Sequence, residues 1–317
     1  MTGVQTCALP IYKQENKIVG SGPGKEQAKA VEEYWTPERM AAAKPLPMRK
    51  AHKGAGTAEV KPEGKAGSST PGHPKNHEKG GATARQFEPN AKGGNAVKNP
   101  LAYPYSVCGK LYLTQNGSDF TGSASVVAAN VLLTAGHCVF ENGVWSTNLA
   151  FYPSYPKRPT TDPFYRFNWS YEAAWTAWTQ HSNSAYDYGF IWVNSAPGND
   201  LGWLGMLWNA STSGRTWDAV GYPGTPNPPF NGNVMDEAVG TVASSSTSGT
   251  IGLTNDNMEH GSSGGPWITD FNGSPREYAN GLQSFHIHDG DFTEFGPYFT
   301  QDVKGLFDWI SNPANRH

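Results

Sequence analysis

Three short stretches of this 317-residue chain carry side chains suited to a single chemistry. The most informative is Gly261-Ser262-Ser263-Gly264-Gly265-Pro266, a serine followed by two glycines and a proline. Glycine lacks a Cβ and tolerates the backbone angles that let a loop wrap closely around a reacting carbonyl. Upstream stand Thr134-Ala135-Gly136-His137-Cys138 and Asp187-Tyr188-Gly189-Phe190-Ile191. Acyl transfer needs a nucleophile, a base to take its proton, and a carboxylate to orient that base. Ser263, His137 and Asp187 supply one of each. Taken singly, each has a plainer reading: a loop serine in a Gly- and Ser-rich chain, a structural histidine, a turn or cap aspartate. Their conjunction, in the order His, Asp, Ser, carries the argument.

Charge and composition divide the chain near residue 100. Residues 1–99 hold 16 Lys and Arg against 9 Asp and Glu; residues 100–317 hold 8 against 18. Ten of the eleven tryptophans lie in the second part. The first part is rich in Lys, Gly, Ala, Pro and Glu, and buries too little apolar surface to offset its ordering entropy. It reads as a mostly disordered pro-segment or linker over 1–99. Its charges are scattered and no aromatic residues interleave with them, so nucleic-acid binding is not expected. Residues 1–12 have neither the cationic start nor the apolar run of a secretory signal, and they resemble translated sequencing-adapter read-through.

Residues 100–317 read as one domain of short strands. Cys108–Thr114 and Asp119–Ala124 flank an Asn116-Gly117 pair, a strong hairpin signal. Strand-like runs follow at Val126–Thr134 (broken at Asn130), Tyr188–Val193, Trp217–Gly221, Gly265–Thr269, Tyr278–Phe285 and Gly296–Thr300. Helical spacing is weak over Ser170–Gln180 and clearer over Thr300–Ser311, where Val303, Leu306, Phe307 and Ile310 recur on one side. Many short strands with one terminal helix predict an all-β barrel or sandwich. Cys108 and Cys138, in a chain with few charges, are expected to form one disulfide in an exported protein. Four Asn-x-Ser sequons, at Asn116, Asn168, Asn209 and Asn272, matter only in a eukaryotic secretory pathway.

With its three motifs in that order, the chain resembles the trypsin/chymotrypsin-like serine peptidases over roughly residues 103–312. The resemblance is closer to the secreted bacterial and fungal branch that includes the glutamyl endopeptidases, which Gly221-Tyr222-Pro223-Gly224 and Trp35-Thr36-Pro37-Glu38-Arg39-Met40 look like. The resemblance implies an all-β fold of two packed six-stranded antiparallel β-barrels with a C-terminal helix, the site lying in the cleft between them. It implies His137 and Asp187 from the first barrel and Ser263 from the second, with the backbone N–H groups of Gly261 and Ser263 as oxyanion hole. It places Ser284 beside the aspartate at the start of a substrate-binding strand that continues to Phe285. It implies a secreted, monomeric endopeptidase made as a precursor. Its partners are protein or peptide substrates, with no cofactor, metal, nucleic acid or membrane. A catalytically silent binding module and an esterase using the same triad are the alternatives.

The chain departs from that pattern in places. Ser262 stands where trypsin has the aspartate that receives the new N-terminal ammonium, so activation through that ion pair is not expected. Thr121 takes the usual place of the cysteine that bridges to Cys138, which leaves Cys108 as substitute, although hairpin pairing sets Cys108 near Ser125. Asn257 falls at the base of the primary specificity pocket, and its neutral amide argues against Arg or Lys selection. Gln283 replaces the histidine that glutamyl endopeptidases carry before the serine matched by Ser284. His286-Ile287-His288-Asp289-Gly290-Asp291 offers metal-ligand types but no complete ligand set, and no metal is expected.

Overall fold

We describe residues 16–23, 30–31, 33–50, 64–74, 93–156, 165–224, 230–243, 248–287 and 292–316 of a computed structural model. The N-terminal third supplies short pieces: β1 (Ile18–Ser21), helix α1 (Pro37–Ala42), β2 (Lys44–Pro45), β3 (Arg49–Lys50), β4 (Gly67–Ser68) and β5 (Asn95–Ala96). Thr36 caps α1 by accepting the Arg39 N–H, and Pro37 opens its first turn, a common start for a short helix.

The first barrel begins with β6 (Cys108–Gln115) and β7 (Ser118–Ala128), joined where the Asn-Gly pair predicts. Asn116 and Gly117 have φ of 49° and 74°, the left-handed pair that a two-residue hairpin turn requires. β8 (Val131–Thr134) leads into a single helical turn, α2 (Gly136–Val139), and a small hairpin, β9 (Phe140–Glu141) with β10 (Val144–Trp145). β11 (Thr147–Pro153), β12 (Phe167–Trp175) and β13 (Gly189–Val193) complete it. The order β12-β11-β6-β7-β8-β13 closes because β13 also pairs with β12, giving a six-stranded antiparallel barrel without a free edge. Leu111, Leu113, Val126, Leu133, Phe151 and Phe190 fill its interior.

The weak helical spacing over Ser170–Gln180 does not produce a helix: the chain stays extended to Trp175 and makes only one helical turn, Thr176–Thr179. A register shift between Trp169 and Tyr171 interrupts the strict alternation of β12. From Trp169 on, the buried apolar residues fall at 169, 173, 174 and 178, a spacing that imitates a helix in the sequence, although Glu172 and Thr176 between them are buried too.

In the second half, β14 (Gly205–Trp208), β15 (Thr216–Gly221), β16 (Asp236–Thr241), β17 (Thr250–Thr254), β18 (Pro266–Thr269), β19 (Tyr278–Leu282), β20 (Phe285–His286) and β21 (Thr293–Pro297) form two sheets. A bridge between Val242 and Leu253 and the Ser284 N–H bond to the Phe295 carbonyl (3.1 Å) tie them around a second core. Trp217, Trp267, Ile251, Leu253, Met258 and Tyr298 form that core. Helix α3 (Gln301–Ser311), capped by Thr300, buries Val303, Leu306 and Ile310 and sets Phe307 edge-on against Phe190 of the first barrel. Among the described residues, no helix is long and apolar enough to cross a membrane.

The N-terminal pieces dock on this body. β1 pairs with β12, β4 with β14, β5 with β16, β2 with β7 and β3 with β20. Trp35 is buried against Tyr112 of β6, and its Nε1–H donates to the Asn148 carbonyl at 2.6 Å.

The expected disulfide is not formed: Cys108 and Cys138 are both free and buried. Cys108 lies opposite Ser125 in the hairpin register, with its Sγ 3.8 Å from the Pro104 carbonyl. Cys138 faces Gly122 instead: a Cβ built there would lie 3.3 Å from its Sγ. Three residues along β7 amount to roughly 10 Å, more than the ~4.4–6.8 Å Cα span of a disulfide. Gly122, rather than Thr121, therefore occupies the place opposite Cys138. Burial pushes the Cys138 thiol up to about 12, away from reactivity near neutral pH.

Candidate active site

His137 is fixed by α2, which begins where β8 ends; Asp187 sits just before β13, the strand paired with β8. Two adjacent barrel strands thus bring together residues fifty apart in sequence. The Asp187 carboxylate accepts the His137 backbone N–H at 2.8 Å through Oδ1 and faces His137 Nδ1 at 2.9 Å through Oδ2. Ser284, between β19 and β20, donates its hydroxyl to the same Oδ2 at 2.5 Å. Burial alone would raise the Asp187 pKa. The neighbouring His137 charge, the hydrogen bonds from His137 and Ser284, and the Arg49 guanidinium outweigh it, so the net shift is downward. The carboxylate is therefore anionic near neutrality, as required to hold the imidazole with its Nδ1–H toward Asp187.

Ser263 lies in the loop between β17 and β18. The loop turns on Gly261 and Gly264, with φ of 90° and 84°. At Gly264 an added Cβ would stand 2.1 Å from Thr134 Oγ1 and 2.4 Å from the Ser123 carbonyl, so the loop packs directly on the first barrel. The Ser263 carbonyl accepts the Ser123 N–H at 2.8 Å, and Ser123 Oγ donates to the Gly261 carbonyl at 3.0 Å. Ser262 turns its hydroxyl back to the Met258 and Glu259 carbonyls. Ser263 Oγ and His137 Nε2 are both shut off from solvent, and neither has a hydrogen-bond partner among the described residues.

The remaining expected residues fall into two groups. Phe285 stacks on Phe295 at 5.3 Å beside the site. A crevice of about 60 Å³ next to Asp187 is lined by Arg49, Lys50, Ser184, Asp187 and Phe285. Gln283, by contrast, is engaged at both ends within the second core: Nε2 donates to Asp256 Oδ2 (2.8 Å) and Oε1 accepts from Trp267 Nε1 (3.0 Å). Asn257 Oδ1 accepts the Gly94 N–H at 2.8 Å. Asp256 itself is pushed up to about 7 by burial, against bonds from Met258 and Gln283. Among the described residues one group of metal-ligand type exists, the buried Glu259, His286 and Glu294, whose nearest ligand atoms lie within 4.8 Å of one another. His288, Asp289 and Asp291 lie outside the described residues.

Sequence reasoning missed the N-terminal residues over the site. The Gly261 N–H donates to the Leu46 carbonyl at 3.0 Å, the Met48 N–H donates to His260 Nδ1 at 2.9 Å, and the Arg49 guanidinium lies 4.6 Å over the Trp178 ring. The one available signal was Pro45-Leu46-Pro47-Met48, an extended, apolar interruption in a basic, Gly-rich stretch.

The architecture is shared with known proteins. A protease from Arthrobacter nicotinovorans, Anisep, superposes with a TM-score of 0.57 at 28% identity over 68% of this chain and 97% of that one. A thermostable serine protease from an extremophilic microorganism, AL20, gives 0.58 at 26% identity over 65% of this chain and 97% of that one. The chain has a chymotrypsin-like serine peptidase fold. Among curated relatives, this trypsin-like chain is similar to a Bacillus licheniformis glutamyl endopeptidase (27% identity over 129 residues, 40% of this chain and 39% of that protein). It is also similar to a Bacillus subtilis extracellular metalloprotease, at 26% identity over 132 residues, 40% of this chain and 42% of that protein. The matched region thus spans about two fifths of the length of these curated relatives. No protein-family model matches the chain.

Proposed function

We propose that the protein is a secreted serine endopeptidase, made as a precursor, that hydrolyses peptide bonds of protein or peptide substrates through an acyl-enzyme on Ser263. The domain acting is residues 100–317, and residues 1–99 are the pro-segment. The observation that carries this reading is the shared carboxylate. Asp187 Oδ2 is met by both His137 Nδ1 and the Ser284 hydroxyl, an arrangement with a chemical use only if the far side of the imidazole handles a proton. Ser263 Oγ attacks the scissile carbonyl carbon and its proton passes to His137 Nε2. The N–H groups of Gly261 and Ser263 receive the oxyanion; losing one such donor typically costs ~10²–10³ in turnover. Collapse expels the amine, which takes the proton from Nε2, and a water repeats the sequence to free Ser263. Asp187 stays ionised and orients the imidazole. Chymotrypsin-like folds also carry other functions, so the site has to be tested directly. Matured enzyme should hydrolyse casein and react with a fluorophosphonate probe, and Ser263→Ala should do neither. Hydrolysis of simple esters without peptides would favour an esterase, and absence of both would favour a binding module.

A further inference from the structure

The cleft between the first barrel and the second core is filled by the chain itself. β2 runs parallel to β7 at Phe120 and Thr121, and the Leu46 N–H continues that ladder to the Thr121 carbonyl at 2.8 Å. The next carbonyl, Leu46 O, accepts the Gly261 N–H, the donor assigned above to the oxyanion. Two residues on, the Met48 N–H reaches His260, and β3 then runs parallel to β20 at Phe285 and His286. Arg49 covers Trp178 and sets its Nε 3.8 Å from Glu141. Leu46 and Met48 are each 4% exposed, and Pro45 approaches so closely that a Cβ on Gly224 would lie 2.2 Å from its Cγ. Beneath this cover Ser263 is 0% exposed and His137 2%.

We infer that the cleft is a binding site for an extended peptide of the type Lys-Pro-Leu-Pro-Met-Arg-Lys, and that residues 44–50 are its tethered occupant, holding the precursor closed by filling the oxyanion hole. The inference rests on the peptidase reading for its consequence but on backbone hydrogen bonds for its geometry. Resistance of the occupant to cleavage follows from its sequence. The carbonyl held by Gly261 is bonded to Pro47, whose nitrogen carries a ring carbon in place of hydrogen, so Cδ shields the atom that would have to accept a proton from His137. Prolines at 45 and 47 also restrict the segment before it docks, which lowers the entropy lost on binding. The buried Trp35 and the Arg39–Asp119 ion pair (3.1 Å) anchor the chain a few residues upstream, which raises the local concentration of the occupant.

The test uses the full, uncut chain and two variants, Leu46→Asp and Met48→Pro. The first places a charge on a buried position; the second removes the N–H that reaches His260. Hydrogen exchange followed by mass spectrometry reads residues 44–50 and 258–265, with β6–β8 as the measure of intact folding. Both segments should be protected in the wild type and should lose protection together in the variants while β6–β8 keep theirs. Fluorophosphonate labelling of uncut chain should rise roughly 10–100-fold in the variants, the equivalent of displacing one well-buried apolar side chain. Fast exchange of 44–50 in the wild type, or variants in which 258–265 stays protected, would overturn the inference. Labelling of uncut wild type as fast as of the variants would do the same. If exchange behaves as expected while no form of the protein ever takes the probe, the peptidase reading fails and the occupied cleft stands.

Discussion

Asp187→Asn is the most informative single substitution. The wild-type carboxylate accepts from the His137 backbone N–H, His137 Nδ1 and the Ser284 hydroxyl, and is buried with its pKa held low. An asparagine of the same shape offers one acceptor oxygen and turns two N–H donors toward groups that also donate. Either the backbone bond or the imidazole bond survives, and the imidazole is free to take the tautomer with its proton toward Ser263. Hydrogen bonds to a charged group contribute about 1.5–3 kcal/mol each, so an amide nitrogen in the Oδ2 place, which loses the bonds from His137 Nδ1 and from Ser284, costs about 3–6 kcal/mol. Expressed on the transition state, that is a drop of roughly 10²–10⁴ in kcat/KM. The assay is hydrolysis of a fluorogenic peptide mixture by matured enzyme near pH 8, with thermal unfolding measured beside it. The expected result is the stated loss of rate in a protein that still unfolds cooperatively. Activity within tenfold of wild type in a folded Asp187→Asn protein would refute the role given to this carboxylate.

Other expectations follow from particular contacts. Gly122→Cys should bridge spontaneously to Cys138, given the 3.3 Å approach; closing that loop should add about 3 kcal/mol, read as a higher melting temperature that reductant abolishes. Gly264→Ala should cost about 2–5 kcal/mol, because its φ of 84° and the 2.1 Å approach to Thr134 Oγ1 combine backbone strain with overpacking; chemical denaturation measures it. Asp256 is raised to about 7, so the native state holds its proton through a range where the unfolded chain has lost it. Its contribution to stability therefore falls as pH rises from about 4 to about 7. The difference in melting temperature between wild type and Asp256→Asn should change over that window and level off above it. Asp187, shifted the other way, keeps its stabilising contribution at neutral pH and loses it as pH falls below the usual carboxylate range.

The candidate triad residues were legible because the requirements of such a triad are local. His137, Asp187 and Ser263 each sit in a short motif whose glycines answer to close approach, and the hairpin at Asn116-Gly117 answers to a turn with positive φ at both residues. The weak helical signal over β12 arose because a bulge gives the strand's apolar buried residues the spacing of a helix. The cysteine pair was misread because composition says how many thiols a chain has and not which barrel face each occupies; one residue of register separates Thr121 from Gly122. Gln283 falls next to Ser284 in sequence, yet alternation along the strand turns its side chain into the second core toward Asp256 and Trp267. The docking of residues 44–50 left the faintest trace. Its stabilisation comes from backbone bonds and from pockets built by residues more than seventy positions away, which no local pattern encodes.

The role of Ser263 as nucleophile is tested most directly by the site of a covalent adduct. Matured protein is treated with a fluorophosphonate, digested and mapped by mass spectrometry. A single phosphonyl group on Ser263, absent from Ser263→Ala and strongly slowed in Asp187→Asn, is the predicted result. An adduct on another residue, or none in a matured protein that still cleaves peptides, would contradict it.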